Sequence, residues 1–323
     1  MTKVQCELCP TECVLGEYEV GGCRVRINRG GVLYSLVYGK PCAVHIDPIE
    51  KKPFYHFLPA TAAFSIATAG CVLGCKFCQN WQISQARPEE TDYTELPPGE
   101  VVRQAAFYRC RSITYTYTEP TVFYEYMLDT AVIAKAQGIK NTAHTCGYIK
   151  EKPLRELAKY MDAADVDLKA FSEDFYGRIC GGRLKPVLDA IVVLKEEGVW
   201  VELTNLLIPT LNDDTAGIRD MCRWIYKNAG PDTPLHFSRF FPYYKLTDLP
   251  PTPVETLTAA RKTALDAGLR YVYIGNLRSE AENTYCHHCR NLLIERRGYF
   301  VARNSVAGGR CGFCRTPVAG VWN

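Results

Sequence analysis

The chain has no surplus of charge. Its 38 Lys and Arg stand against 35 Asp and Glu, so no global basic field marks it for nucleic acid. No apolar run approaches the length of a membrane span, and the opening MTKVQCELCP lacks the apolar core of a signal peptide. Low-complexity tracts and internal repeats are also missing. These absences predict a cytoplasmic protein without a membrane partner. At 323 residues it has room for one large α/β domain with small appendages, or for two domains.

Cysteine, by contrast, is abundant: there are 16. In a reducing compartment such a load more often serves metals or catalysis than disulfides. The cysteines are clustered as Cys6, Cys9, Cys13 and Cys23, then Cys71, Cys75 and Cys78, then Cys286, Cys289, Cys311 and Cys314. The scattered Cys42, Cys110, Cys146, Cys180 and Cys222 read as small buried hydrophobes.

Between residues 61 and 275, short β-rich runs alternate with longer helical stretches. The expected strands are 62–68, 112–117, 141–146, 165–169, 200–208, 235–240 and 271–274; helical periodicity covers 121–138 and 184–198, both ending on glycine. Near-continuous apolar strands alternating with helices predict a parallel sheet, and this many units fit a partial (β/α) barrel. Segments 1–60 and 276–323 carry the cysteine quartets. Neither could bury an adequate core alone, so metal would hold each together. The Pro-rich stretch 242–253 reads as an ordered loop over the barrel mouth.

In GCVLGCKFCQNW (70–81) three thiols fall within eight residues. Three thiolates can hold three irons of a [4Fe–4S] cluster and leave the fourth iron open for a ligand. An open coordination position separates a catalytic metal site from a closed structural one. The loop follows the first expected strand, placing it at the rim where barrel active sites are built. A zinc site borrowing a ligand such as His56 is the alternative.

The C-x3-C-x2-C spacing, with Phe77 before the last cysteine, resembles that of the radical S-adenosylmethionine (SAM) enzymes. The segments DPIEKKPFYHFLP (47–59), YTEPT (117–121), DVDLKAF (165–171), LIPTLND (207–213) and SRFFPYYKLTDLPPTP (238–253) extend the resemblance over nearly the whole chain. It resembles the pyruvate formate-lyase activating enzymes and, within that group, the AmmeMemoRadiSam system radical SAM enzymes. The resemblance implies a (β/α)6-type radical SAM barrel whose open iron chelates SAM. It implies reductive cleavage to methionine and a 5′-deoxyadenosyl radical that abstracts hydrogen from a substrate. It also implies a low-potential electron donor of ferredoxin or flavodoxin type.

Carried over by position, Phe77 would face the cofactor. YTE stands where the activating enzymes have GGE, which gives Thr118 and Glu119 the SAM amino group. Glu119 could instead cap the helix begun by Pro120. Lys169 in DLK matches a lysine near SAM; a solvated strand-end lysine is its other reading. His144 stands where activating enzymes commonly carry a cation-binding aspartate, which leaves that cation site open. The sixth-strand histidine of the glycyl-radical activases has no counterpart in FFPYYKL.

Cys286, Cys289, Cys311 and Cys314 form two C-x2-C knuckles, a strong signal for a tetrahedral four-thiolate site holding zinc or one iron. His287 and His288 are expected to point outward, and Arg290, Arg296, Arg297 and Arg303 to form a solvated face. Residues 292–305 should make a hairpin. The uneven set Cys6, Cys9, Cys13 and Cys23 suits a second iron–sulfur cluster or zinc. Three functions fit: an activase or modifier of a partner protein, a radical enzyme acting on a small molecule, and a non-catalytic electron-transfer or zinc-binding protein.

Overall fold

The computed structural model describes residues 3–323; residues 1 and 2 of the N-terminal segment lie outside the described residues. The main sheet has eight strands: β1 (Ala43–Pro48), β2 (Ala62–Ala67), β3 (Ser112–Tyr115), β4 (Lys140–Thr145), β5 (Ala163–Asp167), β6 (Trp200–Leu207), β7 (Leu235–Arg239) and β8 (Val272–Gly275). They follow one another in chain order across the sheet. From β2 to β8 every neighbouring pair is parallel. Strand β1 is an antiparallel edge on β2.

Parallel neighbours require crossovers. Helices α1 (Pro98–Phe107), α2 (Tyr124–Ala136), α3 (Glu151–Ala158), α4 (Leu184–Glu196), α5 (Thr215–Asn228) and α6 (Val254–Asp266) each join consecutive strands from β2 to β8. Lys51, Lys52 and Pro53, just past β1, line one cavity with Ser238 and Asn276 at the ends of β7 and β8. A flat sheet of eight strands would hold its edges roughly 34 Å apart. The sheet is therefore curled into an open barrel of (β/α)6 type.

Side chains alternate between its faces. Ile66, Ile113, Val166, Leu203, Phe237 and Ile274 belong to the apolar core shared with the helices. The register aligns the other face as Ser65–Thr114–Thr142, His144–Asp165–Glu202 and Asp167–Thr204–His236–Tyr273. These polar residues are buried as well, except His144 and Asp167, which are half-buried, and several pair. Thr114 Oγ1 and Thr142 Oγ1 lie 2.6 Å apart, Thr204 Oγ1 donates to Asp165 at 3.1 Å, and His236 Nε2 meets Glu202 at 2.8 Å.

Each of the seven expected strands lies within two residues of one of β2–β8. The 121–138 helix is shorter than expected because Pro120–Phe123 forms a 3-10 turn capped by Glu119 before α2 begins. Strand β1 and residues 49–60 lie in the segment assigned by sequence to the N-terminal module, yet they pair with and flank the main sheet. The Pro-rich loop packs on the 70–81 segment: Lys245 N donates to Lys76 O at 2.9 Å, and Tyr244 stacks on Trp81.

In the C-terminal module, β9 (Thr284–Tyr285) pairs with the expected hairpin, β10 (Leu292–Arg297) and β11 (Phe300–Asn304). The solvated-face reading fails for Arg296, which is 2% exposed. Its guanidinium lies 4.0 Å from the Tyr55 ring centroid and donates to Tyr55 O at 2.8 Å, Thr284 Oγ1 at 2.8 Å and Glu282 O at 3.2 Å. The alternation in β10 turned this arginine inward, where it bolts the module to the residues after β1. His287 is likewise half-buried, with Nδ1 3.0 Å from the Tyr271 hydroxyl. His288 is exposed, as expected.

Replacing Arg296 with Met keeps bulk but takes the donor from two carbonyls, Tyr55 O and Glu282 O, at about 1–3 kcal/mol for each one left unpaired, while Thr284 Oγ1 retains the Tyr273 hydroxyl. The variant should lose at least that much stability in anaerobic urea unfolding, and protease should release the C-terminal module first. An unchanged midpoint would show that the stacked cation adds nothing.

Candidate metal centres

The Gly70–Asn80 loop leaves the C-terminal end of β2 and is clamped from two sides. Gly74 N donates to Cys180 O at 2.8 Å and Lys76 N to Ile179 O at 3.0 Å; Gly70 N donates to Ile83 O at 2.9 Å. Gly70 has φ +92°, and a methyl there would meet Cys23 O at 2.5 Å and Val25 Cγ1 at 2.6 Å. Only glycine lets the loop start where the N-terminal segment presses on it.

Cys71, Cys75 and Cys78 line a cavity of about 490 Å³ with Phe77, Thr116–Glu119, His144–Cys146, Asp167 and Lys169. The carried-over residues therefore share one site. All three thiols are pushed above the ordinary thiol range. Burial does this to Cys71 and Cys78, and a hydrogen bond with Cys180 followed by burial does it to Cys75. Without a cation they stay protonated and are poor ligands; a metal supplies the charge that makes them thiolates. The donor set suits a soft, multiply charged centre.

Spacing separates the cysteine sets. In the C-terminal module Cys286 Sγ is 3.7 Å from Cys314 Sγ, and Cys289 Sγ is 3.7 Å from Cys311 Sγ. Four sulfurs about 2.3 Å from one metal in a tetrahedron stand about 3.8 Å apart. That site fits a single ion with no open position. Hydrogen bonds from Thr316 hold the Cys314 thiol down to about 5, while burial raises Cys286 to about 11. Gly312 N donates to Ser305 O at 2.9 Å, and a methyl there would meet that oxygen at 2.5 Å.

Among the described residues, two groups of three or more ligating side chains come within 4.8 Å of one another: this quartet, and His144 with Asp165 and Asp167. Neither the triplet nor Cys6, Cys9, Cys13 and Cys23 packs so tightly. The wider spacing suits a polynuclear centre.

His56 is no zinc ligand. Burial depresses its pKa to about 4, so the ring is neutral. Nδ1 donates to Ala319 O at 2.7 Å, which leaves Nε2 to accept from the Tyr273 hydroxyl at 2.6 Å. Both ring nitrogens are spent inside the core.

Glu119 is buried and held by four donors. Oε1 accepts from Thr121 N at 3.1 Å, Thr121 Oγ1 at 2.6 Å and Thr145 Oγ1 at 2.7 Å; Oε2 accepts from Cys146 N at 2.7 Å. It caps the 3-10 turn and ties the end of β3 to the loop after β4. Thr118 Oγ1 donates to Thr68 O at 2.9 Å. Lys169 is not solvated: Nζ pairs with Asp167 at 2.9 Å and lies 5.8 Å from the Phe77 ring centroid. His144 Nδ1 is 2.8 Å from Asp165, at ion-pair range, and Nε2 is 3.6 Å from Asp167. Burial opposes its charge, but Asp167 and Asp165 outweigh burial and raise its pKa.

Sequence reasoning missed three features. Cys180 hydrogen-bonds the Cys75 thiol, and Cys146 N donates to Glu119 in the wall of the cavity that Cys71 also lines. Both are buried, as expected, but at the metal centre; nothing local in the sequence marks them. Lys52 also lines the cavity, 2.7 Å from Asp47 and 3.9 Å from the Tyr117 ring centroid. Burial lowers its pKa to about 8. Its one signal is the EKK within the 47–59 motif.

A curled parallel sheet with an open set of three thiols at its C-terminal rim defines a metal-dependent barrel enzyme. The radical SAM superfamily model matches residues 65–222. An uncharacterized protein of Methanocaldococcus jannaschii is 50% identical over 97% of this chain and 94% of its own length. A pyruvate formate-lyase-activating enzyme of Clostridium pasteurianum is 27% identical over 49% of this chain and 67% of its own. The crystal structure of a radical SAM methyltransferase from Sphaerobacter thermophilus shares the fold, with TM-score 0.53, 18% identity, and coverage of 68% of this chain and 67% of that one. The chain belongs to the radical SAM superfamily, in the group resembling the pyruvate formate-lyase activases.

Two tests follow. Glu119→Gln would turn an amide donor toward Thr121 and Thr145 or toward Cys146 N, so it should cost about 1–3 kcal/mol of stability before any effect on ligand binding. Anaerobic unfolding without SAM reads that loss; an unshifted midpoint would return Glu119 to a purely ligand-facing role. Cys311→Ser should release one equivalent of zinc or iron and expose the tail to protease while the triplet keeps its iron. Metal analysis showing no loss would remove the single-ion assignment.

Proposed function

We propose that Cys71, Cys75 and Cys78 hold a [4Fe–4S] cluster with one open iron, and that the chain uses it to modify a partner protein. A bound cluster with SAM supplies the 5′-deoxyadenosyl radical that abstracts hydrogen. The observation that carries the reading is the single cavity joining the three thiols to Phe77, Thr118, Glu119 and Lys169. Lys169 is oriented by Asp167 and packs over Phe77, so its ammonium stands ready for an anionic group of the ligand. Glu119 Oε2, which accepts from Cys146 N, keeps acceptor capacity for an ammonium. The Pro-rich loop braces the triplet loop through Lys245 and Tyr244.

The cavity continues past Thr204, Ser238, Asn276 and Tyr299 into a second of about 300 Å³, between the β1 side of the barrel and β8. This lateral slot would admit an extended protein segment, which favours the modifier reading and suits a partner of the AmmeMemoRadiSam kind. A small molecule filling both cavities is the second reading. We assign the C-terminal quartet to zinc or one iron and the N-terminal quartet to a second [4Fe–4S] cluster. The electron donor would be a ferredoxin or flavodoxin in the cytoplasm. Among the described residues no helix is long and apolar enough to cross a membrane.

Anaerobically reconstituted protein given a low-potential reductant and SAM should form 5′-deoxyadenosine. Cys71→Ala, Cys75→Ala and Cys78→Ala should each abolish it, and undiminished activity in these variants would overturn the assignment.

A further inference from the structure

The N-terminal quartet does not stand apart from the triplet. Cys23 O touches Gly70, the residue bonded to Cys71, closely enough that a methyl on Gly70 would lie 2.5 Å from it. Leu8 O, between Cys6 and Cys9, accepts from Lys150 N at 3.0 Å in the loop after β4 that also carries Cys146. Pro10 O accepts from Arg183 at 3.1 Å, close to the Ile179–Cys180 segment that clamps the triplet loop. Arg26 fixes the module to α2 through two 2.8 Å bonds to Glu125. Its four thiols lie within one another's electrostatic reach, Cys9 with Cys6 and Cys13 and Cys23 with Cys6 and Cys9, and a methyl on Gly21 would lie 3.7 Å from Cys23 Sγ and 3.8 Å from Cys13 Sγ. Yet they do not close to the single-ion spacing of the C-terminal quartet.

We propose that the N-terminal quartet is the electron entry port of the radical site, with its cluster lying directly behind Cys71. This rests on the cluster assignments of the preceding section. Two observations favour a relay over a staple. The triplet opens toward the cavity that SAM and substrate would fill, so a protein donor has no approach from that side once they are bound. Cys13 and Cys23 are partly exposed and do not line that cavity. The contact between Cys23 and Gly70 gives a continuous backbone route to Cys71. The step balances as a one-electron transfer. A reduced flavodoxin or ferredoxin takes the N-terminal cluster from its 2+ to its 1+ state. Passing the electron on restores that cluster to 2+ and takes the triplet cluster from 2+ to 1+. No bond or proton changes place.

The test is reduction of the triplet cluster followed by freeze-quench electron paramagnetic resonance on the full chain, which does not depend on SAM cleavage. Cys13→Ser should lose the N-terminal cluster while keeping the triplet's four irons. Its triplet cluster should be reduced by flavodoxin at least about tenfold more slowly than in the parent. Titanium(III) citrate, small enough to enter the cavity, should reduce parent and variant to the same extent. Equal rates with flavodoxin, or equal slowing with both reductants, would overturn the relay. The unaltered protein gives a second measure should the variant not fold: with both clusters reduced, their signals should broaden through mutual magnetic coupling. Zinc in the N-terminal quartet, or two uncoupled signals, would overturn the proposal. Two coupled clusters without 5′-deoxyadenosine formation would leave the relay standing and remove the SAM reading instead.

Discussion

A buried thiol keeps its proton, and a large part of this structure answers that constraint. Cys71, Cys75 and Cys78 stand in a pocket where burial and neighbouring thiols all oppose ionisation. They become ligands only when a cation arrives to offset the cost, so loading the site and settling the loop are linked events. The protein prepares for this with backbone rather than charge. Gly74 and Lys76 are pinned to Cys180 and Ile179, and Gly70 is pinned to Ile83. Lys169, a cation lining the same cavity, is paired with Asp167. A loop held this way has its shape before the metal enters, and the metal's charge is left for the sulfurs.

The same economy explains the polar lining of the barrel. Asp165 and Glu202 are buried side by side across β5 and β6, a costly arrangement unless each finds partners. Glu202 finds four: Tyr55 N, His56 N, Trp200 Nε1 and His236 Nε2, at 2.8–3.1 Å. These outweigh its burial and hold its carboxyl below the usual range. Asp165 has Thr204 and the His144 ring, and burial still raises it. The two carboxyls divide the labour. Glu202 fastens the segment after β1 to the barrel, while Asp165 sits behind His144, which lines the cavity.

Much of this was legible in the sequence, and the reasons are specific. Strands β2–β8 are apolar on the helix side and bounded by helices with clear periodicity, so pattern alone places them. The triplet and the C-terminal knuckles were visible because metal ligation imposes local spacing. Strand β1 was not visible: AVHIDP is short, half-exposed and paired antiparallel at an edge, where no apolar run is required. Arg296 and Cys180 were misread for a related reason. Each acts across a large sequence separation, Arg296 on Tyr55 and Cys180 on Cys75, and local composition carries no trace of such a partner. Glu119 shows how two readings can both apply to one residue. Its position matches a ligand-binding motif, and its hydrogen bonds make it a cap.

The C-terminal module links these threads. By its spacing the quartet is a closed staple, yet the hairpin it clamps does more than close a tail. Gly298 and Tyr299, at the hairpin tip between β10 and β11, form part of the wall of the second cavity beside Glu50 and Glu282. Arg296, one turn of the same hairpin away, fixes that tip through Tyr55, and Tyr55 N is held by Glu202 inside the barrel. A chain of buried contacts thus runs from the single-ion site, through the hairpin, to the edge of the slot and the carboxylate beneath it. A metal in that quartet would need no contact with the cavity to bear on it, because the hairpin it would clamp carries Gly298 and Tyr299 into the wall of the slot.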